Sequence, residues 1–144
     1  TVTMRTATIM SDASRQVATA TGRVVVEAEN FRNDQGEALY ALFRTADGFP
    51  EQPLLAARRL PQVIFRGRSR VVFDDVPAGT YAISVLHDED GDRKLKTGFL
   101  GIPLEGIGFS RDARGRFGPP KFQDAQLVLE PGQSATVVIR MHYY

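Results

Sequence analysis

The chain has 144 residues, of which 42% are hydrophobic and 24% are charged. This length and composition predict one domain that can bury a hydrophobic core without disulfides or structural metal ions. Eighteen basic and seventeen acidic residues leave a net charge of +1, which indicates neither a nucleic-acid partner nor an anionic membrane. Cysteine is absent, which excludes disulfides, Cys-ligated zinc and thiol nucleophiles, and no apolar run reaches the roughly 20 residues of a membrane span.

The first segment, residues 1–21, is rich in Thr, Ala and Ser and has only scattered apolar residues. This composition predicts an N-terminal leader, followed by a single domain over residues 22–144. Two interpretations of the leader stay open. It packs against its own domain, or it adds a strand to the sheet of a neighbouring subunit.

Short alternating segments after the leader predict β-strands. Gly22–Glu29 places apolar residues on one face and charged residues on the other. The turn residues of Asn33–Gly36 and the apolar run Ala38–Phe43 follow, which predicts a hairpin with the first strand.

The clearest strand runs from Thr80 to His87 and is apolar on both faces, which predicts a central place in its sheet. Further strands are predicted at Ala125–Leu129 and Ala135–Met141. Short strands at turn-separated intervals, without a long amphipathic helix, indicate an all-β fold. We expect a single Greek-key-like β-sandwich of about seven strands.

A long Gly- and Pro-rich loop extends from Leu86 to Phe122. Loops of this length inside a compact domain are often functional. Aromatic and aliphatic residues are spaced along the loop as anchors that would fix it on the sheet. We predict that the loop is the binding surface, and its candidate residues are His87, Glu105, Phe109 and Phe117.

An acidic turn begins this loop. Asp88, Asp90 and Asp92 alternate as the hard oxygen ligands of calcium do, but Arg93 and Phe99 stand where an EF-hand needs Gly and Glu. Turn geometry alone also accounts for Asp and Gly at these positions. We therefore expect no cofactor, with calcium at these three aspartates as the alternative.

Catalytic motifs are scarce in this sequence. The chain has two histidines, and Ser110 lacks the Gly-x-Ser-x-Gly context of a nucleophile elbow. One enzymatic alternative stays open, a metal-dependent hydrolase that uses His87, Asp88 and Glu105. The expectation is nevertheless a protein that is not an enzyme.

A basic stretch precedes the central strand, with no acidic residue between Glu51 and Asp74. It fits an anionic partner such as a polysaccharide, or alternatively an exposed edge that arginine protects against aggregation. The second interpretation is favoured. The stretch consists of Arg58, Arg59, Arg66, Arg68 and Arg70.

The run PAGTYAISVLHDEDGDRKLKTGFLGIPLEGIGFS, followed by FGPPKFQDAQLVL, resembles a bacterial family of small proteins known as domain of unknown function 2141. The resemblance covers roughly residues 22–141. Members of that family carry an Asn- and Gly-rich turn after a His-Asp pair. Here Asp90 and Asp92 occupy the Asn-like positions, whereas Arg93 and Lys96 depart from the usual Gly and Asp.

The resemblance implies a sandwich of the transthyretin or carboxypeptidase-regulatory type and export to the periplasm or cell surface. It supplies no catalytic residues. The leading hypothesis is therefore a non-enzymatic binding or structural module at the cell envelope, whose partner is a protein, a polysaccharide or a second copy of the chain. The alternative is a subunit of a fibre or larger assembly, joined by strand addition through the leader.

Overall fold

The computed structural model describes residues 20–91, 105–115 and 118–144. Within these ranges the chain forms eight strands. They are β1 (Thr21–Glu29), β2 (Glu37–Phe43), β3 (Arg58–Gln62), β4 (Ser69–Pro77), β5 (Gly79–Asp88), β6 (Ile107–Phe109), β7 (Leu127–Leu129) and β8 (Ser134–Arg140). Helical structure in the same ranges is limited to 3-10 turns at Pro53–Leu55 and Ser110–Asp112 and to one turn of α-helix, α1 (Phe122–Ala125).

The strands form two sheets, which confirms the predicted sandwich. The first sheet has the order β4-β1-β8, with β1 antiparallel to β4 and parallel to β8. The second has the order β3-β2-β5-β6, all antiparallel, and β7 pairs with the first residues of β5. β5 is central in its sheet, as its two apolar faces predict.

Alternate residues of both sheets meet in one hydrophobic core. Full burial of a large apolar side chain contributes about 1.5–3 kcal/mol, so this core is the main source of stability. Its largest fully buried apolar and aromatic members include Tyr40, Leu42, Phe73, Tyr81, Ile83, Ile139 and Met141. Burial raises the pKa of Tyr40 to about 12, although the nearby hydroxyl of Ser69 lowers it.

The predicted hairpin between the first two strands is wrong. β1 pairs with β4 and β8, whereas β2 pairs with β3 and β5, so residues 30–36 carry the chain from one sheet to the other. This connection is longer than the roughly two to five residues of a hairpin loop. Alternation along each strand identifies the strand, but it does not specify the partner.

The long loop is partly regular, since it contains β6 and a 3-10 turn and ends where α1 begins. An aromatic cluster fixes this segment on the face of the second sheet that points away from the core. Phe49 packs edge to face against Phe109 and Phe122, with ring centroids 5.7 and 6.0 Å apart. Within residues 105–115 and 118–125, Phe109 and Phe122 are thus two of the anchors that the spacing predicts.

Residues 1–19 of the predicted leader lie outside the described residues. β1 begins at Thr21, and the carbonyl of Ala20 accepts a hydrogen bond from the backbone N–H of Ala78 at 3.0 Å. Residues 20 and 21 therefore belong to the domain.

Candidate functional site

Three carboxylates meet at the end of β5. Asp88 is the last residue of β5, Asp90 lies in the following turn, and Glu105 precedes β6. Each offers a ligand atom, and these atoms all lie within 4.8 Å of one another. Asp88 and Glu105 are buried, at 0% and 4% exposure, and Asp90 is exposed. We refer to this group as the carboxylate cluster.

The pairing of β5 with β6 brings Glu105 to the acidic turn. The backbone N–H of His87 donates to the carbonyl of Gly106 at 2.9 Å, and Leu86 is opposite Ile107. The backbone N–H of Glu89 then donates to Oε2 of Glu105 at 3.1 Å. A residue distant in sequence is thereby held beside Asp88.

The carboxylate cluster offers oxygen atoms of the type that hard cations bind. Calcium takes six to eight oxygen ligands at roughly 2.3–2.6 Å, and Asp and Glu carboxylates are its usual protein ligands. Ionised carboxylates that approach this closely repel one another, and a divalent cation between them would convert that repulsion into attraction. The structure thus assembles part of such a ligand set from Asp88, Asp90 and Glu105.

His87 lies next to the carboxylate cluster in sequence, and its imidazole is fully buried. Nε2 is 2.8 Å from the carbonyl of Gln35, and Nδ1 is 2.7 Å from the hydroxyl of Tyr143. Because a carbonyl can only accept, we assign the proton to Nε2, so that Nδ1 accepts from Tyr143. The Tyr143 oxygen in turn accepts the backbone N–H of Arg32 at 3.0 Å. Both ring nitrogens therefore serve to connect segments of the fold.

Glu89 lies between the two aspartates of the cluster but belongs to a different group. Its carboxylate forms an ion pair with Arg32, whose Nε is 3.1 Å from Oε2, and accepts from Nδ2 of Asn33 at 2.7 Å. The Arg32 hydrogen bond is the main cause that lowers the pKa of Glu89 below its ordinary value, against the opposing effect of burial. The Arg32 guanidinium also lies 4.7 Å from the ring centroid of Tyr143.

Ser110 has a structural role in the same region. It is fully buried, and its Oγ accepts from the backbone N–H of Ile83 at 3.0 Å and donates to the carbonyl of Ala125 at 2.5 Å. These bonds join the 3-10 turn after β6 to β5 and α1. The hydroxyl is therefore engaged by the backbone on both sides.

The structure places the predicted site residues in different environments. Asp88 and Asp90 of the predicted calcium set lie together, and Glu105, predicted for the binding loop, joins them. Phe109 is 7% exposed and packs within the aromatic cluster. His87 lies beside the cluster as described above, and the last two, Asp92 and Phe117, lie outside the described residues.

No motif in the sequence marks Tyr143, Arg32 or Gln35 as parts of the site. Tyr143 follows the last strand in a short polar and aromatic run, where no motif distinguishes it from Tyr144. The one available signal is Gly106, because a Cβ there would overlap the Tyr143 ring. A glycine in the loop indicates a close approach, but it does not identify the approaching residue.

A family model described as an uncharacterized protein conserved in bacteria (DUF2141) matches residues 26–137. The chain belongs to this family. The DUF2141 match extends from β1 into β8 and includes the whole carboxylate cluster. Searches of curated proteins and of solved structures gave no significant match. In the part of this DUF2141 chain that the structure describes, no helix has the length and apolar character needed to cross a membrane.

Proposed function

We propose that this DUF2141 domain is a non-enzymatic binding module of the bacterial cell envelope, in which a divalent cation, calcium, supports the binding loop. The observation that carries the proposal is the approach of three ligand atoms, from Asp88, Asp90 and Glu105, to within 4.8 Å of one another. The partner would be a protein or a polysaccharide of the envelope. Placement at the envelope rests on the family resemblance.

The position of the carboxylates in the chain gives the cation a clear role. Asp90 precedes residues 92–104, and Glu105 directly follows them. A cation bound by both side chains would hold the two ends of that segment close to β5. Bringing the ends of a loop together costs conformational entropy, and a bound ion supplies the free energy to offset that cost.

The hydrogen bonds of His87 and Ser110 support a non-enzymatic role. A hydrolase that used His87 would need one ring nitrogen for a ligand or a proton, and the two are bonded to Tyr143 and Gln35. The Ser110 hydroxyl bonds to backbone groups, with no base beside it among the described contacts. Assembly through the leader stays a prediction that concerns residues 1–19.

A weak affinity is expected for this site. Calcium modules outside cells bind with dissociation constants on the order of 10⁻⁴–10⁻³ M. Calcium at ten times the dissociation constant would stabilise the fold by about 1.4 kcal/mol, which raises the melting temperature by about 3–6 °C for a domain of this size.

The test is calorimetric titration and thermal unfolding of EDTA-treated protein with and without calcium. We expect a saturable heat and a rise in melting temperature, both lost in Asp90→Asn. Asp47→Asn is the matched control, since Asp47 is exposed and lies outside the carboxylate cluster. A wild-type protein with neither heat nor thermal shift in calcium, magnesium, manganese or zinc would refute the cation site. Recovery of the native protein in the cytosolic fraction would refute the envelope location.

A further inference from the structure

A shallow groove lies on the solvent side of the first sheet, and its lining includes no residue of the carboxylate cluster. Its floor includes β1 and β8, and its wall is the segment that links β3 to β4. We call it the 63–70 groove. Its apolar and basic lining residues include Val63, Phe65, Arg66, Arg68, Arg70 and Val138.

The wall of the 63–70 groove ends in a rigid turn. Phe65 and Arg68 exchange two backbone hydrogen bonds, at 2.8 and 3.1 Å, across a two-residue turn at Arg66 and Gly67. The carboxylate of Asp34 accepts from the backbone N–H groups of both turn residues, each at 2.8 Å. A side chain presented on such a turn loses little conformational freedom when a partner binds, which favours affinity.

Three apolar side chains of the groove are exposed to solvent. Val63 is 67%, Phe65 69% and Val138 55% exposed. Single exposed apolar residues are common on protein surfaces, but here three line one groove. Aromatic residues and arginine are the types most enriched in protein–protein interfaces.

The charge of the groove favours an anionic partner. The two groove glutamates are in ion pairs, Glu27 with Arg70 at 3.5 Å and Glu29 with Arg140 at 3.7 Å. Among the described residues, the side chains of Arg66 and Arg68 form no ion pair. The Arg66 guanidinium lies 5.2 Å from the ring centroid of Phe65, a contact that leaves its N–H groups able to pair with a carboxylate of a partner, as those of Arg68 are.

We propose that the 63–70 groove binds an extended acidic segment of a partner protein. Side chains alternate in direction along an extended chain, so aliphatic residues would contact Val63, Phe65 and Val138 while carboxylates pair with Arg66 and Arg68. A concave groove with its own glutamates suits a peptide better than a flat anionic membrane. The inference names a partner class for the binding module, and it does not depend on the cation.

The probe is the capped octapeptide acetyl-(Glu-Val)4-amide, titrated into ¹⁵N-labelled protein and followed by amide chemical shifts. We expect saturable chemical-shift changes at residues 63–70 and 138, and we expect added salt to lower the affinity for the peptide. The double variant R66E/R68E is expected to weaken binding about tenfold or more. Arg59→Glu makes the same kind of charge change at an exposed residue outside the groove, and it should alter the affinity less than about twofold.

Phe65→Ser tests the apolar contact, and its dispersed amide spectrum would show that the variant is folded. EDTA should leave peptide binding unchanged, so that failure of the cation site and failure of the peptide site can be told apart. Absence of groove shifts, or equal binding of acetyl-(Lys-Val)4-amide, would overturn the inference. So would binding to phosphatidylglycerol vesicles without peptide binding, or a dimer in sedimentation velocity that Phe65→Ser abolishes.

Discussion

The hydroxyl of Tyr143 lies 2.7 Å from Nδ1 of His87 and so joins the C-terminal segment to the end of β5. The same hydroxyl accepts the backbone N–H of Arg32, and the other imidazole nitrogen donates to Gln35. The buried His87 and the half-buried Tyr143 therefore connect β5, the segment between the two sheets and the chain after β8. Asp88, the first residue of the carboxylate cluster, directly follows His87, so these hydrogen bonds hold the backbone beside the cluster.

Replacement of Tyr143 by Phe is expected to destabilise the domain by about 1–3 kcal/mol, because it leaves the buried Nδ1 of His87 without its donor. Urea unfolding measures this change. Tyr144→Phe is the matched control, since Tyr144 is 63% exposed, and it should change stability by less than about 0.5 kcal/mol. Equal effects of the two substitutions would contradict the role assigned to Tyr143.

Ser110→Ala is expected to lower stability by about 1–3 kcal/mol, because the backbone groups of Ile83 and Ala125 lose their hydrogen-bond partner in a buried site. Ser134→Ala, at an exposed position on β8, serves as the control. Thermal unfolding would show the difference. An unchanged stability in Ser110→Ala would contradict the stabilising role assigned to the hydrogen bonds of the Ser110 hydroxyl.

Glu89→Gln is expected to make the free energy of unfolding less dependent on pH in the acidic range. The pKa of Glu89 is lowered, chiefly by the Arg32 hydrogen bond, so its contribution is present above the unfolded pKa of about 4.3 and is lost as pH falls through the lower folded value. Because the Arg32 side chain is 47% exposed, solvent screens the ion pair, and its contribution to the free energy of unfolding is about 0.2–1 kcal/mol.

Urea unfolding of wild type and Glu89→Gln from pH 3 to 7 measures that dependence. The difference between the two should be largest above about pH 5 and should shrink toward pH 3. Glu51→Gln, at an exposed glutamate outside this network, is the control. A difference that grew on acidification would have the wrong sign for a lowered pKa.

Gly106→Ala is expected to destabilise the domain by about 1–3 kcal/mol, because the new Cβ would overlap the ring of Tyr143. The cost is steric and therefore depends on Tyr143. In a Tyr143→Ala background the same substitution should cost much less, and a double-mutant cycle measures that coupling. Purely additive effects would show that contact with Tyr143 is not the cause.

The strands could be predicted because burial on one face imposes a period of two. This pattern identifies β1, the central β5 and β8 within one residue of their observed starts. The partner of each strand could not be predicted in the same way. The turn at Asn33–Gly36 resembles a hairpin in sequence, but residues 30–36 carry the chain between the sheets, and Gly36 approaches Asp88 closely there.

The carboxylate cluster was predictable in part. Asp88 and Asp90 adjoin in sequence, and their alternation indicates oxygen ligands. Glu105 joins them only because β6 pairs with β5, which depends on the folded chain. The support from Tyr143 is less predictable still, since its partner His87 is 56 residues away and no local pattern connects them.

Calcium binding at the carboxylate cluster is tested most directly by a calcium titration of ¹⁵N-labelled protein followed through backbone amide shifts. We expect saturable shifts that are largest at residues 88–90 and 105–106, are lost in Asp90→Asn and persist in Asp47→Asn. Shifts that are absent at the carboxylate cluster, or that are the same in wild type and Asp90→Asn, would contradict it.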